Sequence, residues 1–466
     1  MQKVFDEVNS LDHQCYEKYL LSEDILMEHA ATTMMNFIVK HFTQHSKVLI
    51  VCGSGNNGAD GIILSRLLYG MFDVNLYIVK KPKTDIGKLQ LKRALKVGVQ
   101  CIDNNLKLED TYTVIVDALF GTGFDKQMNQ EYIDLIKQLN NNTGYKLACD
   151  IPSGINKKGQ INQIAFKSDT TITMGALKKS LFLDEAKDYI GKIIVSDLGV
   201  SREIYENYSD LYILDIDDLH LPLRDYSNTH KGKFGHLSVI VGQKAGAGIL
   251  CADAAFNFGV GLVSVINHKE YQLPYHIMQD HKLPKNTTAI AIGMGLGNYE
   301  KNEILEILNK NIPKIIDADM FYERDIKVVL EKGDSVLTPH PKEFCSLLKI
   351  VGIEEIDVVT LQKNRFTYVQ KFCAKYPKVV LLLKGANTLI GQDKKMYINL
   401  HGTNKLSFGG SGDVLSGLIG SLLAQGYSCI AAAINGSLAH SISALNYSKN
   451  NYSMTPEDLI EGIKSL

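Results

Sequence analysis

The 466-residue sequence contains no apolar run long enough to cross a bilayer, and its first residues, Met1-Gln2-Lys3-Val4-Phe5-Asp6-Glu7, carry no signal-peptide pattern. A cytoplasmic protein with no membrane partner is therefore expected. Net charge is lacking too: fifty Lys and Arg stand against fifty-one Asp and Glu, which argues against a nucleic-acid or membrane-surface partner. None of the eight cysteines (Cys15, Cys52, Cys101, Cys149, Cys251, Cys345, Cys373, Cys429) belongs to a C-x-x-C pair, so they read as reduced core residues, with neither zinc nor disulfides. There is no short-period repeat and no low-complexity segment, which removes solenoids and disordered tails. What is present, 45% hydrophobic and 22% charged residues, describes an ordinary globular chain of about two or three domains.

Apolar strand-like runs alternate with amphipathic helical segments along the whole chain, the pattern of a parallel α/β architecture. Strands are expected in the first half at 47–52, 74–79, 112–117, 145–150, 170–174 and 192–197. In the second half they are expected at 236–241, 262–266, 288–292, 314–317, 335–337, 378–383 and 395–399. Two parallel sheets follow, with a helical block at 6–42 packed on the first. The rhythm pauses in the polar, proline-bearing stretch 215–233, which divides the chain into domains 1–214 and 215–466.

Two glycine-rich segments carry chemistry. Near the C-terminus, Phe408-Gly409-Gly410-Ser411-Gly412-Asp413-Val414 delivers a carboxylate onto the first turn of an apolar helix, where inward N–H groups and the helix end can hold a phosphate beside Asp413. The same residues would also make an ordinary turn and N-cap. In the first half, Gly53-Ser54-Gly55-Asn56-Asn57-Gly58-Ala59-Asp60 follows a strand, opens a helix and has dinucleotide-type G-x-G-x-x-G spacing. The next strand ends in Val79-Lys80-Lys81, with no acidic residue for a ribose, and Asn56, Asn57 and Asp60 exceed what a phosphate cradle needs. Two further strands end in carboxylates followed by glycine-containing loops, at Asp117 and Asp150. Taken singly each is a loop cap; together with Asn57 and Ser153 they gather at one sheet edge, where hard oxygen ligands of low charge suit a monovalent cation.

The segments N-N-G-A-D, D-A-L-F-G-T-G and D-I-P-S-G resemble the NAD(P)HX epimerase domain. The segments H-K-G-K-F-G, T-P-H-P-K-E-F, L-K-G-A-N-T and G-G-S-G-D-V-L resemble the ADP-dependent NAD(P)HX dehydratase domain. Seven motifs in this order make the chain similar to the bifunctional NAD(P)H-hydrate repair enzymes of bacteria. The resemblance implies a Rossmann-like three-layer parallel sheet followed by a ribokinase-like α/β domain, with NADHX, NADPHX and ADP as small-molecule partners, in a homo-oligomer. In the first domain it implies substrate contacts at Asn56, Asn57, Gly58, Ala59 and Asp60, at Gly121, Thr122, Gly123, Phe124, Asp125, Lys126 and Gln127, and at Asp150. It also implies potassium on Asn57, Asp117 and Ser153. In the second domain it implies hydrated-nucleotide contacts at Ala247, Gly295, Gly297, His340 and Asp413, and ADP contacts at Lys384, Gly385, Ala386, Asn387, Thr388 and Gly412. Three positions depart from the family pattern: Ala59 replaces a glycine, Met294 replaces the proline of G-P-G-L-G, and Gly242-Gln243-Lys244 replaces G-G-S.

The chemistry of the residues fits. Hydroxide leaves the C6 carbon of a hydrated nicotinamide slowly, and phosphorylation makes it a good leaving group. Asp413 is the candidate base, the glycine N–H groups the anion hole and Lys384 the phosphate cation, with magnesium expected on the nucleotide. Asp150 is the candidate acid/base of epimerisation, with Asp117 the alternative carboxylate. His340 and Lys384 also have bland readings, as a turn residue between prolines and a snorkelling strand-end lysine. Two other functions use the same residues: a ribokinase-like small-molecule kinase fused to a nucleotide-sensing domain, and an N-terminal binding module without activity.

Overall fold

The computed structural model describes residues 1–102, 112–123, 127–161, 163–297 and 299–466. Two compact units are formed, Lys3–Ser209 and Asp210–Leu466 with Met1–Gln2. Among the described residues no helix is long and apolar enough to cross a membrane.

In the first unit the sheet runs Cys101–Ile102, Asp73–Ile78, Lys47–Cys52, Val114–Ala118, Tyr145–Cys149, Thr170–Met174, Lys192–Ser196, every neighbour parallel. Side chains alternate along a strand, and the two cores record it. Val48, Ile50 and Cys52 pack with the helices Glu23–His41 and Asn56–Leu68, whereas Leu49 and Val51 pack with the helix Gln130–Asn141. Three layers result. The order reverses between Lys47–Cys52 and Val114–Ala118, so a crevice opens beyond their C-terminal ends. The expected helical block at 6–42 is two helices, Asn9–Lys18 and Glu23–His41. Leu20, in the left-handed region at φ 56°, breaks it, and a short strand, Gln2–Phe5, comes first.

In the second unit the order is Met278–Asp280, Leu262–Ile266, His236–Ile240, Ala289–Ile292, Lys314–Ile316, Ser335–Leu337, Val379–Leu383, Thr388–Gln392, Lys395–Asn399, Leu211–Leu214. The pairing is parallel as far as Val379–Leu383 and then antiparallel through Thr388–Gln392 and Lys395–Asn399, a hairpin that the all-parallel expectation lacks. Leu211–Leu214 pairs with Lys395–Asn399, so this unit begins at Asp210, ahead of the boundary expected at 214/215. The apolar helix Ser411–Ala424 lies in the core against Ala245–Asn257; a β-carbon at Gly417 would fall 2.3 Å from the Cys251 carbonyl oxygen, which is why the two backbones can approach. Parallel strand ends bring Gly242, Gly293, Asp317, His340 and Lys384 to one edge.

Candidate active sites

The crevice of the first unit is a cavity of about 790 Å³ lined by Asn56, Asn57, Asp60, Gly121, Asp150 and Lys178 among others. Its floor is a tight weld between two strand ends. A β-carbon at Gly53 would lie 1.9 Å from the Leu119 carbonyl oxygen, and one at Gly58 would lie 2.0 Å from the Gly53 oxygen. Gly58 is thus a packing residue. Ala59 is fully buried with its methyl toward Gly87 of the helix Asp85–Val97, so the extra carbon enters the core and not the cavity. Asn56 sits at the mouth, its Nδ2 donating to Glu23 Oε1 at 2.8 Å.

Asn57, Asp117 and Ser153 meet around the backbone of Phe120. Asn57 Nδ2 donates to the Phe120 carbonyl at 3.0 Å, and the Phe120 N–H donates to Ser153 Oγ at 3.0 Å. Ser153 Oγ and N–H donate to the two oxygens of Asp117, each at 2.7 Å, and Leu119 N–H donates to Asp117 Oδ1 at 3.1 Å. Asp117 is fully buried, and burial pushes its carboxyl up to about 6 despite those bonds. Asn57 Oδ1 is buried with no hydrogen-bond partner. A buried carboxylate that receives only neutral donors among the described residues, and an orphaned amide oxygen on the side chain that bonds the same Phe120 peptide, are donors that fit a weakly hydrated cation.

Asp150 holds a left-handed backbone at φ 68°, costly for a non-glycine residue and suggestive of a constrained site. Its Oδ1 accepts from Lys178 Nζ at 2.6 Å and Met174 N–H at 3.1 Å, while a β-carbon at Gly121 would lie 3.6 Å from its Oδ2. Lys178, buried, also donates to Thr173 Oγ1 and the Met174 carbonyl. Asp60 is buried with its Oδ1 unpartnered; burial first, then the charges of Asp150, Glu23 and Asp12, hold its carboxyl well above the usual range. Asp12 accepts from Tyr205 Oη at 2.7 Å on the cavity wall. Lys178, Asp12 and Tyr205 escaped the sequence analysis, and Lys178 had no signal beyond a pair of lysines. Thr122 and Gly123 line the cavity; Gln127 is exposed; Phe124, Asp125 and Lys126 lie outside the described residues.

In the second unit Asp413 lies on the first turn of the helix Ser411–Ala424, entered through Gly410 at φ 100°. Burial, then the neighbouring Asp317 carboxylate, pushes Asp413 up to about 7, with Lys384 opposing. Lys384 Nζ donates to Asp317 Oδ1 at 2.8 Å, and a β-carbon at Gly412 would come within 3.2 Å of that nitrogen. The lysine therefore lies beside Asp413 and against the helix entrance. Gly385 to Asn387 form the hairpin turn, and Thr388 starts the returning strand. Gly295 and Gly297, both at φ 60°, interlock with Lys244 and Gln243, where β-carbons would fall 2.4 and 2.6 Å from the Lys244 carbonyl and Gln243 Oε1. Ala247 stands on the first turn of Ala245–Asn257. His340 caps the helix Pro341–Ile350: its Nδ1 accepts from Lys342 and Glu343 N–H at 3.1 and 3.3 Å, and burial and Lys384 hold it below its usual proton affinity. Its Nε2 lies 3.2 Å from Glu343 Oε1. Among the described residues no trio of His, Cys, Asp and Glu is arranged to hold a metal ion, so magnesium would need nucleotide phosphates as ligands.

Asp317, directly after the strand Lys314–Ile316, is a site carboxylate absent from the sequence-based expectation; its signal is the same as that of Asp117 and Asp150, a carboxylate at the C-terminal end of a parallel strand.

The family model of the NAD(P)H-hydrate dehydratases matches residues 237–465, and that of the YjeF-related protein N-terminus matches residues 23–180. The chain is 44% identical to the bifunctional NAD(P)H-hydrate repair enzyme of Helicobacter pylori over 100% of both chains. It is 33% identical to the enzyme of that name in Coxiella burnetii over 91% of this chain and 90% of the relative. A solved ADP/ATP-dependent NAD(P)H-hydrate dehydratase from Bacillus subtilis covers 53% of this chain and 92% of its own, at 24% identity and a TM-score of 0.44. With a family model on each half and a relative matched end to end, the chain belongs to the bifunctional NAD(P)H-hydrate repair enzymes, an epimerase half followed by a dehydratase half.

Proposed function

We propose that the first unit equilibrates the two C6 epimers of NADHX and NADPHX, and that the second dehydrates the (S) epimer with ADP, in the cytoplasm and as a homo-oligomer. C6 carries its hydroxyl next to the ring nitrogen. The nitrogen lone pair can expel that hydroxyl as water once an acid protonates it, and water can return to the other face as a base takes its proton. Asp60, kept neutral by burial and by the carboxylates around it, is suited to be the acid, and Asp150, ion-paired to Lys178 with Oδ2 toward Gly121, the base. Asn57, Asp117 and Ser153 would hold potassium, which supplies the positive charge that Asp117 lacks and ties the loop at 119–123 to the loop at 53–60. Asn56 and the loop from Gly121 would grip the nucleotide at the cavity mouth.

In the second unit Asp413 takes the C6 hydroxyl proton while that oxygen bonds to the terminal phosphorus of ADP and the bond to AMP breaks. Loss of phosphate together with the C5 proton then restores the dihydropyridine. Gly412 and the helix entrance face the transferred phosphate, Lys384 and the hairpin 385–388 the nucleotide, and Ala247, Gly295, Gly297 and His340 the hydrated ring and its ribose. Magnesium bound to the nucleotide would supply further charge neutralisation.

The observation that carries this reading is Asp413, a carboxyl held near neutrality by burial and by a second carboxylate, on the first turn of a helix entered through glycine. Absorbance recovery of a mixed-epimer NADHX pool with ADP, and then with ATP, tests it. Complete recovery with release of phosphate is expected; a stable phosphate ester without recovery would instead identify a small-molecule kinase.

A further inference from the structure

We infer that Asp317 is a positioning residue for dehydration: it holds the Lys384 ammonium against Gly412 and sets its own charge beside Asp413, so that the base works between one fixed anion and one fixed cation. The inference rests on the reading of Asp413 as the base.

Asp317 is 2% exposed, and each of its oxygens is claimed by a different element. Lys384 Nζ, from the loop after Val379–Leu383, donates to Oδ1 at 2.8 Å, and Ser416 Oγ, on the Asp413 helix, donates to Oδ2 at 2.8 Å. Its backbone is fixed as well. The Asp317 N–H donates to the Ile292 carbonyl at 3.1 Å, and a β-carbon at Gly293 would fall 1.8 Å from the Asp317 carbonyl oxygen. The next residue, Ala318, is left-handed at φ 48°, and the one after, Asp319, accepts the Gly297 N–H at 2.9 Å. One strand end thereby pins both the lysine beside the base and the glycine loop of the substrate side. From behind, Arg365 donates to the Leu383 and Lys384 carbonyls at 3.2 and 3.0 Å, so the lysine backbone is held independently of its ion pair.

A carboxylate that served only to bury a lysine would not need a bond from the helix that bears the base. With that bond, Asp317 is locked in register with Asp413, and the two partners act on the base in opposite directions, Asp317 raising and Lys384 lowering its proton affinity. Cys251 of Ala245–Asn257 also faces Asp413; His440 of Cys429–Asn446, bonded to Ser411, and His340 and Glu343 of Pro341–Ile350 complete the titratable surroundings.

The test is the pH profile of kcat/KM for dehydration of the (S) epimer with ADP, measured on the full chain. The wild-type acid limb is expected near the Asp413 value of about 7. Asp317→Asn keeps the shape and removes the charge: the limb moves to lower pH by about one unit or more, and kcat falls on the order of tenfold to a hundredfold because the lysine is no longer held. Lys384→Met moves the limb to higher pH, and the double variant returns it toward the wild-type position. An unmoved limb in the folded variants, with losses confined to KM for ADP, overturns the inference. If Asp317→Asn has no cooperative unfolding transition for this unit, Lys384→Met decides by itself, an unmoved limb again overturning it. Asp413→Asn separates the two claims: normal dehydration by that variant removes the base itself, whereas an inactive Asp413→Asn with unmoved limbs in the other variants removes only the positioning role.

Discussion

Asp117, the penultimate residue of the strand Val114–Ala118, and Asp317, the residue after Lys314–Ile316, both lie at the C-terminal end of a parallel strand, yet they are balanced in opposite ways. Asp317 has its cation built in, Lys384 at 2.8 Å. Asp117, equally buried, receives bonds from Ser153 and Leu119 but from no charged side chain among the described residues, and burial pushes it up to about 6. Carrying a charge there is costly unless a cation arrives from outside. The difference teaches that the same strand-end carboxylate can be balanced from within, by a lysine, or left to neutral donors; the second case is the one for which a potassium ion is proposed, and Asn57 Oδ1, buried without a partner, is a further oxygen available to it.

The comparison is sharpened most by removing the carboxylate proposed as the base of dehydration. Asp413→Asn is expected to lower dehydration on the order of a hundredfold or more, while epimerisation, followed by loss of the epimer ratio in a chromatographic assay, stays at the wild-type rate. Near-normal dehydration would assign the base elsewhere.

The sheets were legible because their central strands, such as Val114–Ala118, His236–Ile240 and Val379–Leu383, are runs buried on both faces, and the expected segments coincide with the observed strands to within a residue or two at most ends. Other strands were not legible. Thr388–Gln392 is absent from the expected strands, where Thr388 is expected to contact ADP, and Leu211–Leu214 is absent beside the polar seam. At the sites, the strand-end rule finds Asp117, Asp150 and Asp317 alike, whereas Lys178 sits in Leu177-Lys178-Lys179, which looks like a solvated pair, and only the folded chain reveals that one of the two is 2% exposed beneath Asp150. Ala59 shows the converse: a departure in a substrate motif that the fold turns into core.

If Asp117 depends on an outside cation, Asp117→Ala removes the only full charge of the set, and epimerase activity and potassium response are expected to vanish together. A mixed-epimer pool would then clear in two phases, the (S) half at the dehydratase rate and the remainder at the spontaneous epimerisation rate. A single phase with the potassium response intact would reduce Asp117 to a loop cap. The matching change in the other unit is milder. Lys384→Ala is expected, besides the kcat loss and the shift of the acid limb that follow from removing the ammonium beside Asp413, to raise KM for ADP about tenfold with a smaller change for the hydrated cofactor, read by titrating each ligand separately; equal changes in the two binding constants would take the lysine out of the nucleotide site.

The smallest expected effect separates the two strand ends without any turnover. Because the folded value of Asp117 is raised from 3.8 to about 6, the folded unit holds that proton more tightly than the unfolded chain does. The associated stability is fully present below the unfolded value and is lost as pH rises through about 6, by at most about 3 kcal/mol. A cation that binds beside the ionised carboxylate opposes that loss. Potassium is therefore expected to raise the thermal transition of the first unit at pH 8 by a few degrees, about 2–4 °C per kcal/mol recovered, and to have little effect at pH 5, where Asp117 is protonated. The transition of the second unit, whose Asp317 already has Lys384, should not respond at either pH. A potassium effect of equal size at both pH values, or one that survives Asp117→Asn, would place the ion away from Asp117 and dissolve the contrast between the two strand ends.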